Sequence, residues 1–287
     1  MRRLAVILCT ICGLGAFAAA QAPTCAAALT LAQQTHYFQQ EFARHAGPIS
    51  FSDVAISAAS LLAAHRTGYL PERGGVWEHP PQRGVSPLNA LSIPKSLRRR
   101  MRQMLRDFPQ MRITLNGAVE TVIQRCADTP RISEPWMTAE IIAGYQELAR
   151  HGIATSLELW DGERLVAGAF SLVTGAHIQG ISKFRDTSHP LADGAGNVLD
   201  WAEKFYFAAR GIELIDVEVA AIKGTDREKQ DVTPMDMPTF LNWQRASAQR
   251  DVDLFPGAVP SRPLPIVESA FLEPYRAHPS EQPLPSP

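Results

Sequence analysis

The chain carries no excess of charge. Its 287 residues hold 28 Lys and Arg against 29 Asp and Glu, a formal net charge of -1. Nucleic-acid binding therefore cannot rest on a global field and needs a local patch. None of the eight histidines forms His-x-His or His-Glu-x-x-His, spacings that would set metal ligands on one face of an element, so no metal is expected. A Gly-x-Ser-x-Gly elbow is missing too, which removes the usual serine-hydrolase reading. Cysteine is scarce, with Cys9, Cys12, Cys25 and Cys126 alone. Cys9-x-x-Cys12 sits inside an uncharged apolar run, a poor place for a redox motif. No internal repeat is visible. The apolar fraction of 45% and charged fraction of 20% are those of a globular protein of one large or two small domains.

The N-terminus is signal-like. Arg2-Arg3 precede the uncharged run Leu4 to Ala20, which ends Ala18-Ala19-Ala20 before Gln21. A positive start, an apolar stretch and small residues at the end describe a cleaved export signal. An uncleaved anchor and an over-extended start of the reading frame are the other two readings of the same run. Cys25 and Cys126 would survive cleavage, and whether they pair is left open.

The pattern downstream is mixed. Residues 24–45 read as a helix. Ser52-Asp53 is expected to cap a second helix that Gly68 stops. Trp77-Glu78-His79-Pro80-Pro81-Gln82-Arg83-Gly84 reads as an ordered loop, because proline lacks the N–H a ladder needs and restricts the residue before it. Ile93-Pro94 opens a third helix, to about Arg106. A short strand at Ile113–Leu115 follows, then a helix 118–127 capped by Asn116 and another from Thr138 to His151. Asp161-Gly162 between Ala154–Trp160 and Arg164–Ser171 signals a hairpin. A strand at His177–Ile181, a helix from Gly196 to Arg210 and a strand Ile212–Val219 complete the set. The order fits an α/β, acetyltransferase-like (GNAT) mixed-sheet core with a helical N-terminal subdomain. The expected divisions are 1–20 signal-like, 21–110 helical subdomain, 111–255 transferase-like domain and 256–287 a proline-rich disordered tail.

The Trp77–Gly84 stretch resembles the tryptophan–proline–arginine signature of leucyl/phenylalanyl-tRNA–protein transferases. The resemblance begins at Leu61–Pro71 and continues through Pro94–Arg98, Cys126-Ala127, Trp136-Met137, Tyr145-x-x-Leu148, Ser156-Leu157-Glu158-Leu159-Trp160, Leu165–Gly168 and Ile215-Asp216-Val217-Glu218, over roughly residues 55–218. It implies transfer of an apolar amino acid, of Leu or Phe type, from charged tRNA to the N-terminal amine of a protein or peptide. It also implies no metal and no dissociable cofactor, since the ester is already activated. By that resemblance Trp77 and Trp136 shape the aminoacyl-adenosine pocket, with Ser156, Ser182 and Phe184 lining the substrate site. Glu158 and Asp216 bind and orient the acceptor amine, and Glu218 helps as base. Strand alternation places Ser156, Glu158 and Trp160 on one face.

Several positions depart from the family pattern. Gly180-Ile181-Ser182-Lys183-Phe184-Arg185 stands where Gly-Glu-Ser-Met-Phe-Ser is usual. Asn197 replaces a lysine and Glu218 a glutamine. Lys183 brings an ammonium to a pocket expected to be apolar, where an unpaired charge is costly.

Lys95, Arg99, Arg102 and Arg106 fall near one helical face, a stripe suited to RNA phosphates. The resemblance implies aminoacyl-tRNA and an acceptor protein with N-terminal Arg or Lys as the partners of a monomeric enzyme, cytoplasmic if that reading holds. Two other readings remain. Asp193-Gly194-Ala195-Gly196-Asn197 at a helix start resembles a CoA pyrophosphate loop, which implies a GNAT-type acyl-CoA N-acyltransferase. The signal-like start, with the altered pocket, suits an exported, non-catalytic binding protein on a transferase scaffold.

Overall fold

The computed structural model describes residues 29–89, 91, 95–129, 136–218 and 232–254. The chain divides into two units, Met1–Thr30 and Leu31–Pro287, and every element below belongs to the second. The signal-like run, Cys25 and the proline-rich tail lie outside the described residues.

In chain order the elements are α1 (Leu31–Phe42), β1 (Ile49–Ser50), α2 (Ala58–Thr67), β2 (Leu70–Glu72), β3 (Val76–Glu78), β4 (Gln82–Pro87) and α3 (Lys95–Asp107). They continue with β5 (Met111–Leu115), α4 (Val119–Ala127), α5 (Ala139–Arg150), β6 (Ala154–Asp161), β7 (Arg164–Thr174) and β8 (His177–Arg185). A 3-10 turn at Pro190–Ala192 leads into α6 (Ala195–Ala208), β9 (Leu214–Asp216), β10 (Thr233–Asp236) and α7 (Met237–Ala248). Seven strands form one mixed sheet in the order β10-β4-β9-β8-β7-β6-β5, and β1-β3-β2 form a small second sheet. All pairs are antiparallel except β8 with β9, which run parallel for two residues only, Ile178 opposite Ile215 and Gln179 opposite Asp216. The helix α6 supplies the crossover that a parallel pair requires.

Each face of the large sheet has its own core. Met101 and Met104 of α3 with Val198, Leu199 and Phe207 of α6 cover Ile113, Leu157, Leu159, Ile178 and Ile215. On the opposite face α1, α2, α4 and α5 cover Phe170, Leu172, Ile181 and Phe184. Alternation along β6 divides its residues between the two, with Leu157 and Leu159 toward α3 and α6 and Ser156 and Glu158 toward α4.

The expected hairpin, the helix ending at Gly68 and the α5 helix are all present. Thr138 caps α5 by accepting from the Ile141 N–H, and Gly68 takes the left-handed conformation with φ 84°. Three expectations are corrected. The second helix starts at Ala58, where Ser57 and Ser60 form a capping box; Ser52 instead bonds Ser50 within a turn. Asn116 does not cap α4: its side chain accepts from Thr155 Oγ1 and from the Ser156 N–H at 2.9 Å. The Trp77–Gly84 stretch is not a loop throughout. Its prolines occupy a corner, while Val76–Glu78 pairs with β1 and β2 and Gln82–Pro87 pairs with β10 and β9. A two-proline corner breaks a strand without preventing pairing on either side of it. Because β4 belongs to the large sheet, that sheet crosses the division expected near residue 110.

Candidate active site

The parallel pair β8–β9 organises the polar centre. His177 and Gln179 are two apart on β8 and so share a face. Gln179 lies opposite Asp216 of β9, and Asp216 lies opposite Val85 of β4. Arg83, two residues before Val85, therefore points to the same side. His65, in the last turn of α2, reaches this face from above.

Arg83 Nη2 donates to Asp216 Oδ2 at 2.7 Å, and both side chains are 0% exposed. A buried carboxylate opposes its own ionisation, but the charge of Arg83 outweighs burial and holds Asp216 at about 2. The Arg83 guanidinium also lies over the Phe240 ring at 5.1 Å. Its Nε and Nη1 have no hydrogen-bond partner among the described residues. The other oxygen of Asp216, Oδ1, accepts the Glu218 N–H at 2.8 Å. That bond ties Glu218 into a left-handed backbone, φ 65°, a conformation that costs a non-glycine residue energy and that clusters at functional sites.

The remaining bonds run in one direction. Gln179 Nε2 donates to Glu218 Oε1 at 2.6 Å. The Gln179 amide oxygen must then be the partner of His65 Nδ1, which makes His65 Nδ1 the donor. Neutral His65 presents Nε2 as acceptor, and His177 Nδ1 donates to it at 3.1 Å. Burial lowers the proton affinity of both rings, consistent with neutral tautomers. His177 Nε2 stands 3.7 Å from Asp216 Oδ2, too far for a hydrogen bond. A chain of donors thus leads from His177 through His65 and Gln179 to Glu218. Glu218 is half-buried, and burial with the adjacent Asp216 charge pushes it up to about 7 against the pull of Arg83.

On the other side of the same strand junction lies a cleft of roughly 900 Å³. After Gln179 the two parallel strands part: β8 continues with β7 alone, and β9 ends at Asp216. Gly180 and Ser182 line one wall, and Ile215 and Val217, which flank Asp216, line another. The start of α6 closes the far side with Gly194, Gly196 and Asn197.

The sequence pattern of the leucyl/phenylalanyl-tRNA protein transferase family matches residues 85–223, the segment that carries this cleft and most of the polar centre. The leucyl/phenylalanyl-tRNA–protein transferase of Photobacterium profundum is 33% identical over 168 residues, which is 57% of this chain and 67% of the relative. The chain belongs to this transferase family. The transferase of Anaeromyxobacter dehalogenans is 34% identical over 165 residues, 55% of this chain and 66% of that one, so the chain spans about two thirds of the length of its curated relatives. Among solved structures, L-PGS from Bacillus licheniformis is similar at a TM-score of 0.39 and 11% identity, over 71% of this chain and 72% of that one, a likeness too loose to bear on function.

The transferase signature residues are not all brought together. Asp216 and Glu218 meet, and the signature arginine, Arg83, joins them. Glu158 does not. It is three strands away on β6, about 14 Å at the usual strand spacing. It is 0% exposed and accepts from Ser156, Thr114 and the Gly117 and Ala118 N–H groups, the last two at 3.2 Å. There it satisfies the start of α4 and has no free face for an amine. Ser156 is buried beside it. Trp77 is 0% exposed: its indole donates to the Val54 carbonyl at 2.7 Å and its ring meets Phe42 and Phe51 edge-on. Trp136 is half-buried against the same core. Phe184 is a core residue under Arg125, and Ser182 lines the cleft. Lys95, Arg99, Arg102 and Arg106 are all exposed along α3.

The two histidines and Gln179 were not foreseen. The alternating His177-x-Gln179 on a strand facing Asp216 was the available signal for two of them. His65, brought in by a helix end, gave none.

Proposed function

We propose that this chain transfers an amino acid from its charged tRNA to the N-terminal amine of a protein or peptide. The observation that carries the reading is Glu218, a half-buried carboxylate with proton affinity near neutrality, fixed by Asp216 and Gln179 at the junction of β8 and β9, across which the cleft lies. An α-amine attacks an ester only when deprotonated. Glu218 accepts its proton as nitrogen bonds to the ester carbonyl carbon. Collapse breaks the carbon–oxygen bond to the ribose, and the leaving oxygen takes the proton back. Asp216 acts as a positioning residue, since it is sealed from solvent and holds the Glu218 backbone. Glu158 supports the fold of α4. The ester itself is the activated donor, so no metal or dissociable cofactor is invoked.

Family membership supports aminoacyl-tRNA and a protein acceptor as partners. The exposed row on α3 supplies cations for the RNA backbone, and an acceptor beginning with Arg or Lys and a monomeric enzyme complete the proposal. The short parallel pair that parts to open a cleft beside α6 supports a GNAT-like description of the sheet. Charged tRNA is a cytoplasmic substrate, so this reading places the chain there. Among the described residues no helix is long and apolar enough to cross a membrane.

The test is incubation of the purified chain with charged tRNAs and a peptide bearing N-terminal Arg, with mass spectrometry of the peptide. Addition of one aminoacyl residue is expected. An unmodified peptide, with an active relative as control, would refute the transfer. A second reading keeps the cleft but changes the donor. Gly194 (φ 86°) and Gly196 open α6 at the cleft wall, which suits a pyrophosphate. A rise in melting temperature with acetyl-CoA, abolished by Gly196→Trp, would favour an acyl-CoA donor.

A further inference from the structure

The cleft is charged where the resemblance to Leu/Phe transferases implies an apolar wall. Lys183 of β8 pairs with Asp200 of α6, and Arg100 of α3 pairs with Asp193 at 2.6 Å. These two pairs are internally compensated. Glu203, one turn beyond Asp200 on α6, forms no ion pair of this kind among the described residues, although Lys204 next to it also lines the cleft. One of its oxygens accepts from Ser171 Oγ at 2.6 Å, and it makes no second hydrogen bond among the described residues. Ser171 comes to it because β8 bulges at Ile181: Phe170 pairs with Ser182 and Ser171 with Gly180, a device that re-aims side chains. Burial, with the Asp200 charge adding to it, raises Glu203 above the ordinary carboxylate value, while Ser171, Lys183 and Lys204 oppose the rise. Across the cleft, Ser86 is 0% exposed and its hydroxyl has no partner among the described residues.

An apolar side chain would bury the Ser86 hydroxyl with nothing to bond and leave Glu203 with Ser171 alone, and unmet polar groups discriminate strongly against a ligand that cannot satisfy them. An acidic side chain would set a second carboxylate against Glu203. A side chain ending in N–H groups satisfies Glu203 as acceptor and leaves the Lys183–Asp200 pair intact. We infer that the cleft takes a donor amino acid whose side chain ends in N–H donors, ammonium, guanidinium or carboxamide, rather than a leucyl or phenylalanyl group. This rests on the transferase reading only in treating the occupant as an aminoacyl group. Arg185 stands exposed at the rim and does not contend for the same carboxylate.

The test uses the full chain and adenosine analogues with the aminoacyl group joined through a non-hydrolysable amide, bearing lysyl, glutaminyl, phenylalanyl or glutamyl side chains, with binding measured by calorimetry. The lysyl or glutaminyl analogue is expected to bind at least tenfold tighter than the other two. Glu203→Leu should reverse the order in favour of phenylalanyl. Glu203→Gln keeps the shape and the Ser171 contact, and should reduce the lysyl preference to less than threefold even if the leucine variant fails to fold. Tightest binding of the phenylalanyl or glutamyl analogue would overturn the inference, as would an unchanged preference in Glu203→Gln or no binding by any analogue. The transfer assay is separate: tight lysyl or glutaminyl binding without transfer from charged tRNA would sink the transferase reading alone, and transfer with phenylalanyl preferred would sink this inference alone.

Discussion

At the scale of single residues, the geometry turns on Arg83. It neutralises Asp216 at 2.7 Å in a place where neither side chain sees solvent. Removing one member of a buried pair leaves the other charge without compensation, at a cost of about 3–5 kcal/mol. Arg83→Met is therefore expected to lower unfolding free energy by an amount in that range, read from urea melts, and Asp216→Asn in the same background should recover part of it. A loss no larger than that of an exposed arginine would show that the pair is not what holds the centre. Arg83 was legible in the sequence only as the cation of a signature. Its role was not, because the partner is 133 positions away and the pairing depends on β4 entering the sheet beside β9. Glu158 shows the opposite failure. Its strand and face were read correctly, but its donors from Thr114 and the loop before α4 were not.

At the scale of elements, helices whose ends carry glycine or a capping hydroxyl matched expectation, as α2 and α5 did at Gly68 and Thr138. Strands interrupted by proline did not, because periodicity and turn residues report local preference, while β4 is fixed by partners at β9 and β10. The α3 helix combines both kinds of information. Met101 and Met104 bury one side against α6, and the opposite side carries Lys95, Arg99, Arg102 and Arg106, exposed. Four cations in a row can displace counterions from RNA phosphates. Replacing all four by alanine is expected to weaken tRNA binding and to reduce the slope of log affinity against log salt by about one unit for each phosphate that is no longer neutralised. A filter-binding titration at several salt concentrations reads both quantities; an unchanged slope would remove α3 from the RNA interface.

At the scale of the whole molecule, the fold sets a carboxylate near its neutral point at the junction of β8 and β9, with the cleft on the other side of that junction, using a left-handed backbone at Glu218 and a one-directional chain of donors from His177. The mixed sheet, the flanking helices and the family were all legible in the order and spacing of motifs. The polar centre was not, since it joins α2, β4, β8 and β9, which lie far apart in sequence. The measurement that bears most directly on it is the single-turnover rate of aminoacyl transfer against pH, for the native chain, Glu218→Gln and Glu218→Ala. Glu218 is active when ionised and its proton affinity lies near 7, so the native rate should rise with pH, bend near 7 and level off above it. Glu218→Gln, which restores the residue usual in the family, should keep transfer but lack the bend, whereas Glu218→Ala should be slower by roughly a hundredfold, as expected for loss of a general base. Identical profiles for the three proteins, with comparable rates, would contradict the assignment of Glu218 as the base.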